Sequence, residues 1–416
     1  MEPIFTNDAV VLGLLLVVLA AVFYTSSSKK PGWQKFYRFV PPLLLCYFLP
    51  ALLHWPLGLI SGEGSRLYFV ASRYLLPASL VLLCLSIDFQ GIINLGWRAL
   101  VMFFSATLGI IIGGPLALLL INGLFPDLIP ASPDELWRGL STVAGSWIGG
   151  GANQTAMKEI FEVGDDLFAT MIIVDVVVAN IWMGFLLYGA NISDQVDSWL
   201  KADSSAIEDL KKKVADYRAS ILEMPTTTST FMILGVAFGG VALAHWGTDI
   251  ITPLMEKKAE ALSAMRLDSL MSKFFWLIVI STTLGLALSF TRFRKLEGQG
   301  ASRFGSVFIY ILVATIGMKM NLGEVWANLG LFAVGITWML VHVLILIAVA
   351  KMIKAPFFFV AVGSQANVGG AASAPIVASA FSTSLAPVGV LMAVLGYALG
   401  TYGAIICAFM MQGVSM

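Results

Sequence analysis

Charge is what this chain of 416 residues has least of: only 12% is Asp, Glu, Lys or Arg, about half the ~25% usual in a soluble domain. With 58% hydrophobic residues and a mean hydropathy of +0.87, that scarcity excludes an ordinary soluble domain and points to a polytopic membrane protein. The 25 basic and 25 acidic residues cancel, which removes the electrostatic case for a nucleic-acid partner. Cysteine is scarce too. Cys46, Cys84 and Cys407 fall inside apolar stretches with neither metal-ligand nor disulfide-framework spacing, and read as packing residues. A Gly-x-Ser-x-Gly elbow, a His-Glu-x-x-His pair and a P-loop are all missing, so no enzyme is expected, and no cofactor beyond a coupling ion. A Thr-Val-Gly type filter is missing as well, which leaves an ion channel as the weaker membrane reading. No cleavable leader is expected, because Glu2 and Asp8 precede the apolar run Ala9–Tyr24 where a signal peptide carries positive charge.

What the chain does have is a series of apolar runs. A crossing needs about 20 mostly apolar residues, and the candidates are 9–25, 36–55, 67–87, 98–122, 138–158, 166–190, 228–246, 273–291, 304–320, 328–352, 356–381 and 386–412. Pro41, Pro42, Pro50 and Pro77 predict kinks. The spacings Gly109/Gly113, Gly235/Gly239 and Gly396/Gly400 permit close helix contact. One long polar connection exists, about 191–227, and Ile207, Leu210, Val214 and Ile221 predict a surface helix within it over 205–222. A second amphipathic piece covers about 253–272. The chain thus divides into a first repeat over 1–190 with an extra N-terminal helix, a polar connector over 191–272 with one apolar helix, and a second repeat over 273–416.

Two of the candidate crossings are unlike the rest. The stretch from Gly145 to Met157 and the stretch from Gly363 to Pro375 are rich in glycine, amides and hydroxyls. Irregular backbone at membrane depth is tolerated only where protein or a water-filled cavity covers it. Two such segments in corresponding halves mark the binding site of a secondary transporter. Each is preceded by a long apolar run and followed by one more, so the third to sixth runs correspond to the ninth to twelfth. Basic loops favour the cytoplasm. Lys29, Lys30, Lys35 and Arg38 place one loop inside; Arg292, Arg294, Lys295 and Arg303, then Lys351 and Lys354, ask the same of two later loops. Twelve plain crossings would place both later loops outside. The conflict disappears if the second repeat is inverted, with an irregular element expected between 191 and 272.

A discontinuous helix exposes N–H groups that attract anions at one broken end and C=O groups that hold cations at the other. Ser146, Gly149, Gly150 and Thr155 in the first segment, and Ser364, Gly369, Gly370 and Ser373 in the second, are the candidate solute-binding residues. Asn153, Gln365 and Asn367 are candidate ion ligands. Asp175 lies near the middle of an apolar run, where a carboxylate costs at least ~2.5–3.5 kcal/mol on insertion scales. It is the first choice for a coupling-ion residue, as a Na⁺ ligand or a protonatable group; the plainer alternative is a carboxylate that braces the broken helix by hydrogen bonds. Arg73 either meets a solute carboxylate or snorkels to the interface. Lys319 and Asp88 read as interfacial, Glu159 as loop, and His342 as a packing histidine ahead of a proton relay.

Several stretches resemble the domain-of-unknown-function family 819, the YjcL-like membrane proteins: Gly149–Asn153, Gln365–Pro375, Tyr74–Pro77 through Ser86–Asp88, Val174–Asp175 to Asn180–Met183, and Gly396–Thr401. The resemblance runs across almost the whole chain. It implies a place in the sodium/proton antiporter and bile-acid symporter superfamily, with a panel domain, a core domain holding two crossed discontinuous helices, and elevator-like movement of core against panel. On that mapping the core comprises runs 4–6 and 10–12, the panel runs 2–3 and 8–9. Antiporters of the superfamily often carry paired acids in the core helix, whereas here Asp175 stands alone. The expectation is an all-α, multi-pass protein of the cell (inner) membrane, a symporter coupling Na⁺ or H⁺ to uptake of a small, anionic organic solute. A cation/proton antiporter without organic solute is the alternative, and a homodimer is left open.

Overall fold

The computed structural model describes residues 3–40, 42–62, 64–125, 128–129, 132–203, 226–265, 267–320, 330–382 and 385–415, so the helix expected over 205–222 lies outside the described residues. Among the described residues the fold is helical throughout, save one isolated bridge between Phe5 and Ile60. Seven helices among the described residues are long and apolar enough to cross a membrane: α1 (Asp8–Ser26), α3 (Leu67–Leu85), α4 (Trp97–Leu124), α5 (Asp165–Asn191), α6 (Thr227–Glu256), α9 (Gly330–Ile353) and α10 (Ala386–Val414). Two bent pairs, one containing α2 (Pro42–His54) and one containing α7 (Lys273–Ser289), raise the number to as many as nine when each pair counts as one span. The shorter α8 (Ala301–Gly317) packs among them, against α2 and α3. The chain is a polytopic membrane protein.

The two glycine-rich segments do not cross, and here the structure corrects the expectation of two crossed discontinuous helices. Residues 23 apart in a straight helix lie roughly 35 Å apart. Yet Arg138 Nη1 donates to the Phe161 carbonyl at 2.9 Å, and the Trp137 and Phe161 rings lie 5.2 Å apart. Pro133–Ile160 is therefore a hairpin of two helical arms, turned at Gly150, whose φ of 74° is the left-handed conformation glycine tolerates. Its entry is fixed by a capping box, with Ser132 and Glu135 each bonding the other's backbone N–H. The second segment, Phe357–Val368 followed by Gly370–Phe381, also folds back: the Phe358 and Phe381 rings lie 5.4 Å apart, and the turn is at Gly370, φ 58°. An apolar run that returns to its own face has the same hydropathy as one that crosses.

The hairpins enter from opposite faces. Phe89 stacks on Phe290, Arg294 pairs with Asp88, and Asp203 joins Arg98 to the Lys354 carbonyl, so the loops at 86–96, 290–300 and 354–356 share one face with the base of the second hairpin. The base of the first hairpin lies on the other face, with the N-terminus and Lys319. Because the run at 138–158 reverses, the loops that follow α1, α7 and α9, with Lys29 and Lys30, Arg292, Arg294 and Lys295, and Lys354, fall on one face, as the charge rule asks of them. The reversal expected between 191 and 272 thus sits at 133–160, and α6 is an unbroken helix of 30 residues.

Packing sorts the helices into two sets. α1, α2, α3, α6, α7 and α8 pack mainly on one another; α4, α5, α9, α10 and both hairpins form the second set. The deepest contact is between the first hairpin and α10, where Cα of Gly149 faces Gly400: a Cβ on Gly149 would stand 2.7 Å from Gly400 Cα and 2.7 Å from the Gly396 carbonyl oxygen. Gly109 and Gly113 likewise admit His342 and Trp338 of α9. Gly235 and Gly239 face open space, so that spacing marks no helix contact.

Candidate functional site

The tips meet between the two helix sets, toward the face of the basic loops. Gly150, Gly151 and Ala152 of the first hairpin and Gly369, Gly370 and Ala371 of the second line one cavity of about 320 Å³. The other walls are Leu43, Leu83, Ser306, Ile309 and Tyr310 from the first helix set and Tyr397 from α10. No charged side chain is among these residues; the polar side chains are Ser306, Tyr310 and Tyr397. The second arm of each hairpin begins at the tip, so its leading N–H groups, which have no partner within their own helix, start at the cavity wall.

Asp175 sits behind the first tip rather than in the cavity. One carboxylate oxygen accepts from Ser146 Oγ at 2.6 Å and Gln154 Nε2 at 3.0 Å, the other from Trp147 Nε1 at 2.7 Å. Ser146 and Trp147 belong to the first arm and Gln154 to the second, so one buried carboxylate ties both arms together. No ion pair to Asp175 is present among the described residues, and three neutral donors face it instead. Thr155 Oγ1 donates to the carbonyl of Gly151 in its own arm.

Asn153 and Asn367 play matching roles. Asn153 Nδ2 donates to the carbonyls of Gly149 and Tyr397, and its Oδ1 accepts from Thr401 Oγ1 at 2.6 Å. Asn367 Nδ2 donates to the carbonyls of Gly363 and Phe103, and its Oδ1 accepts from Thr107 Oγ1 at 2.7 Å. Each asparagine thus joins a hairpin to a long helix through a threonine and the carbonyl four residues before it. These atoms are occupied by helix–helix bonds and do not reach the cavity.

The second hairpin is tied differently. Gln365 Nε2 donates to Ser373 Oγ at 2.6 Å across the turn, and Gln365 Oε1 has no partner among the described residues. Ser364 lies deeper, accepting from Trp182 Nε1 at 2.8 Å and bonded to His342 Nε2 at 2.8 Å. His342 Nδ1 faces the Ala106 carbonyl, which only accepts, so Nδ1 carries the proton and Nε2 accepts from Ser364. Arg73 is remote from both tips and pairs with Glu159 at the base of the first hairpin, 3.0 Å. Of the sequence-expected residues, the structure therefore brings Gly150, Gly369 and Gly370 to the cavity. Ser146, Gln365, Ser373, Asn153, Asn367 and Asp175 brace the hairpins behind it.

A family model described as "Protein of unknown function (DUF819)" matches residues 13–414. The chain belongs to that family. Of its relatives, the "Uncharacterized membrane protein YjcL" of Bacillus subtilis (strain 168) is 24% identical over 364 residues, 85% of each chain. The family match covers both hairpins and both helix sets.

Sequence reasoning passed over several residues that the site uses. Tyr310 and Tyr397 are ordinary aromatics in apolar runs, and nothing local marks them as cavity walls. Trp147 lies inside the first glycine-rich stretch and Trp182 two helical turns beyond Asp175; in both, an indole N–H at membrane depth was the available signal, since a buried donor needs a partner.

Proposed function

We propose that this protein is a secondary active transporter that moves a small organic anion across the cell membrane, coupled to Na⁺ or H⁺. The observation that carries this reading is the cavity where two hairpin tips from opposite faces meet between two separately packed helix sets. In the first half the order is α1, α2, α3, α4, hairpin, α5; in the second it is α6, α7, α8, α9, hairpin, α10, traversed from the other face. That order supports an inverted repeat in which α6 stands where α1 stands, so neither half has an extra helix. The matching asparagine–threonine bonds support it further. An inverted pair gives two exchangeable conformations of the same fold, the requirement for alternating access.

The set holding the hairpins carries the solute and slides against the other set in an elevator-like movement. A cavity free of acidic side chains, walled by the starts of two helices, favours an anion. Asp175 is the coupling carboxylate in this reading, because cation binding or protonation there changes how the two arms of the first hairpin are held.

The test is reconstitution into proteoliposomes with an imposed Na⁺ or pH gradient, with and without small carboxylates in the bath. Gradient dissipation that requires the carboxylate and saturates with it is expected. Ion movement without any solute replaces the reading by a cation/proton antiporter, and currents beyond carrier turnover replace it by a channel.

A further inference from the structure

On the face opposite the basic loops, five charged side chains alternate in sign. Arg73 of α3 pairs with Glu159 at 3.0 Å; Glu159 and Asp165 both face Lys158, at 3.6 and 2.9 Å; and Asp165 pairs with Lys319, just beyond α8, at 2.9 Å. The middle three belong to the hairpin-bearing set and the outer two to the other set. The side chains of Lys158 and Glu159 are only 6% and 8% exposed, so these are not ordinary surface pairs. Tyr68 of α3 lies beneath both lysines, its ring 5.4 Å from Lys158 Nζ and 4.3 Å from Lys319 Nζ.

Arg73 is held in place by its backbone. Pro77 has no N–H to offer the carbonyl four residues earlier, so the helix passes through a π turn over Ala71–Leu75, and the freed Arg73 carbonyl accepts from His245 Nε2 at 3.0 Å. The guanidinium then rests 4.3 Å from the centre of the Phe274 ring. The cavity lies toward the other face: Leu43 is near the start of α2, Leu83 near the end of α3 and Ser306 in the first turns of α8, all on the side of the basic loops.

We propose that this five-membered charge chain is a lock that closes the outer face and holds the inward-facing arrangement, and that it must part for the hairpin-bearing set to move outward. When it parts, Lys158 stays with both acids, while Arg73 and Lys319 are left on the stationary set facing the outer solution. The inference rests on the reading of two helix sets that slide.

The test uses single cysteines in the full-length protein, since the native Cys46, Cys84 and Cys407 are buried and give a low background. Phe168→Cys reports the outer seam, where Phe168 packs on Tyr47 and below Lys158. Ser306→Cys reports the cavity from the inner side. Removing either outer partner, by Arg73→Ala or Lys319→Ala, is expected to raise outer labelling of the first reporter by a membrane-impermeant maleimide about tenfold and to lower inner labelling of the second. The exchanged pair Arg73→Glu with Glu159→Arg is expected to bring both rates back toward wild type, which a variant that merely fails to fold would not do. Unchanged rates at both reporters while solute-coupled uptake continues overturn the lock and leave the transporter standing. A rise at both faces overturns it as general loosening. Reporters that respond to no variant, gradient or carboxylate remove the sliding movement itself.

Discussion

Asp175 ties the arms of the first hairpin through three hydrogen bonds, and its replacement has a graded consequence. In Asp175→Ala the Ser146 hydroxyl can turn to a carbonyl of its own arm, but Trp147 Nε1 and Gln154 Nε2 are left as buried donors. At about 1–3 kcal/mol for each stranded donor, the loss is roughly 2–6 kcal/mol, reduced by the relief of removing a buried carboxylate. Asp175→Asn keeps one oxygen for Trp147. Its amide then faces Ser146, whose hydroxyl can reverse, and Gln154, whose amide can flip, so about 1–2 kcal/mol is expected. Thermal unfolding of detergent-purified protein should rank wild type above Asn and Asn above Ala, and limited proteolysis near Gly150 should accelerate in the same order. An alanine variant as stable and as protease-resistant as wild type would refute the brace. In proteoliposomes Asp175→Asn is also expected to abolish the dependence of uptake on Na⁺ or pH; unchanged dependence removes Asp175 as the coupling group.

Gly149→Ala is expected to destabilise strongly, because its Cβ would collide with Asn153 Nδ2 and stand 2.7 Å from the backbone of α10, whereas Gly239→Ala meets nothing within 4 Å and should be neutral or slightly stabilising; thermal unfolding of the two variants separates them. Thr401→Val and Thr107→Val each leave an asparagine Oδ1 unpaired and should cost about 1–3 kcal/mol, Thr401→Val the more because Thr282 Oγ1 also loses its partner at 3.1 Å; a Thr107→Val variant as stable as wild type in chemical unfolding would count against the role of Asn367. Asp197, in the short helix Ser193–Leu200, accepts from the Phe357 N–H at 2.6 Å and so caps the second hairpin from outside it. Asp197→Ala should cost about 0.5–2 kcal/mol and speed amide exchange at 357–360 while leaving the first hairpin unchanged.

The importance of the two glycine-rich segments was legible because glycine, amides and hydroxyls are out of place in apolar runs. Asp175 was legible for the same reason, and its plainer alternative, a carboxylate bracing the helix by hydrogen bonds, is the contact the structure displays. The fold-back was not legible. A helical hairpin and a broken crossing share length, hydropathy and glycine content, and differ only in where the chain goes after the tip. The basic loops did reveal that a reversal was needed, because charge parity counts crossings, but parity carries no address, and the connector at 191–272 was the wrong place for it. Arg73 read as a residue for a solute carboxylate or for the interface because its partner Glu159 is 86 residues away, a separation no local pattern spans.

By itself the sequence determined that this chain lives in a membrane, that two matched segments in its halves break helical order, and that a lone carboxylate lies near the first. Each of these is a local property: apolar content per segment, backbone freedom at glycine, the cost of charge at depth. The tertiary structure alone decided that the segments turn back, that their tips face each other across one cavity, and that Asn153 and Asn367 are spent on neighbouring helices. Those outcomes depend on which backbones approach closely enough to exclude a Cβ, as Gly149 and Gly400 do, and on donors and acceptors that meet only after hundreds of residues of chain have folded between them.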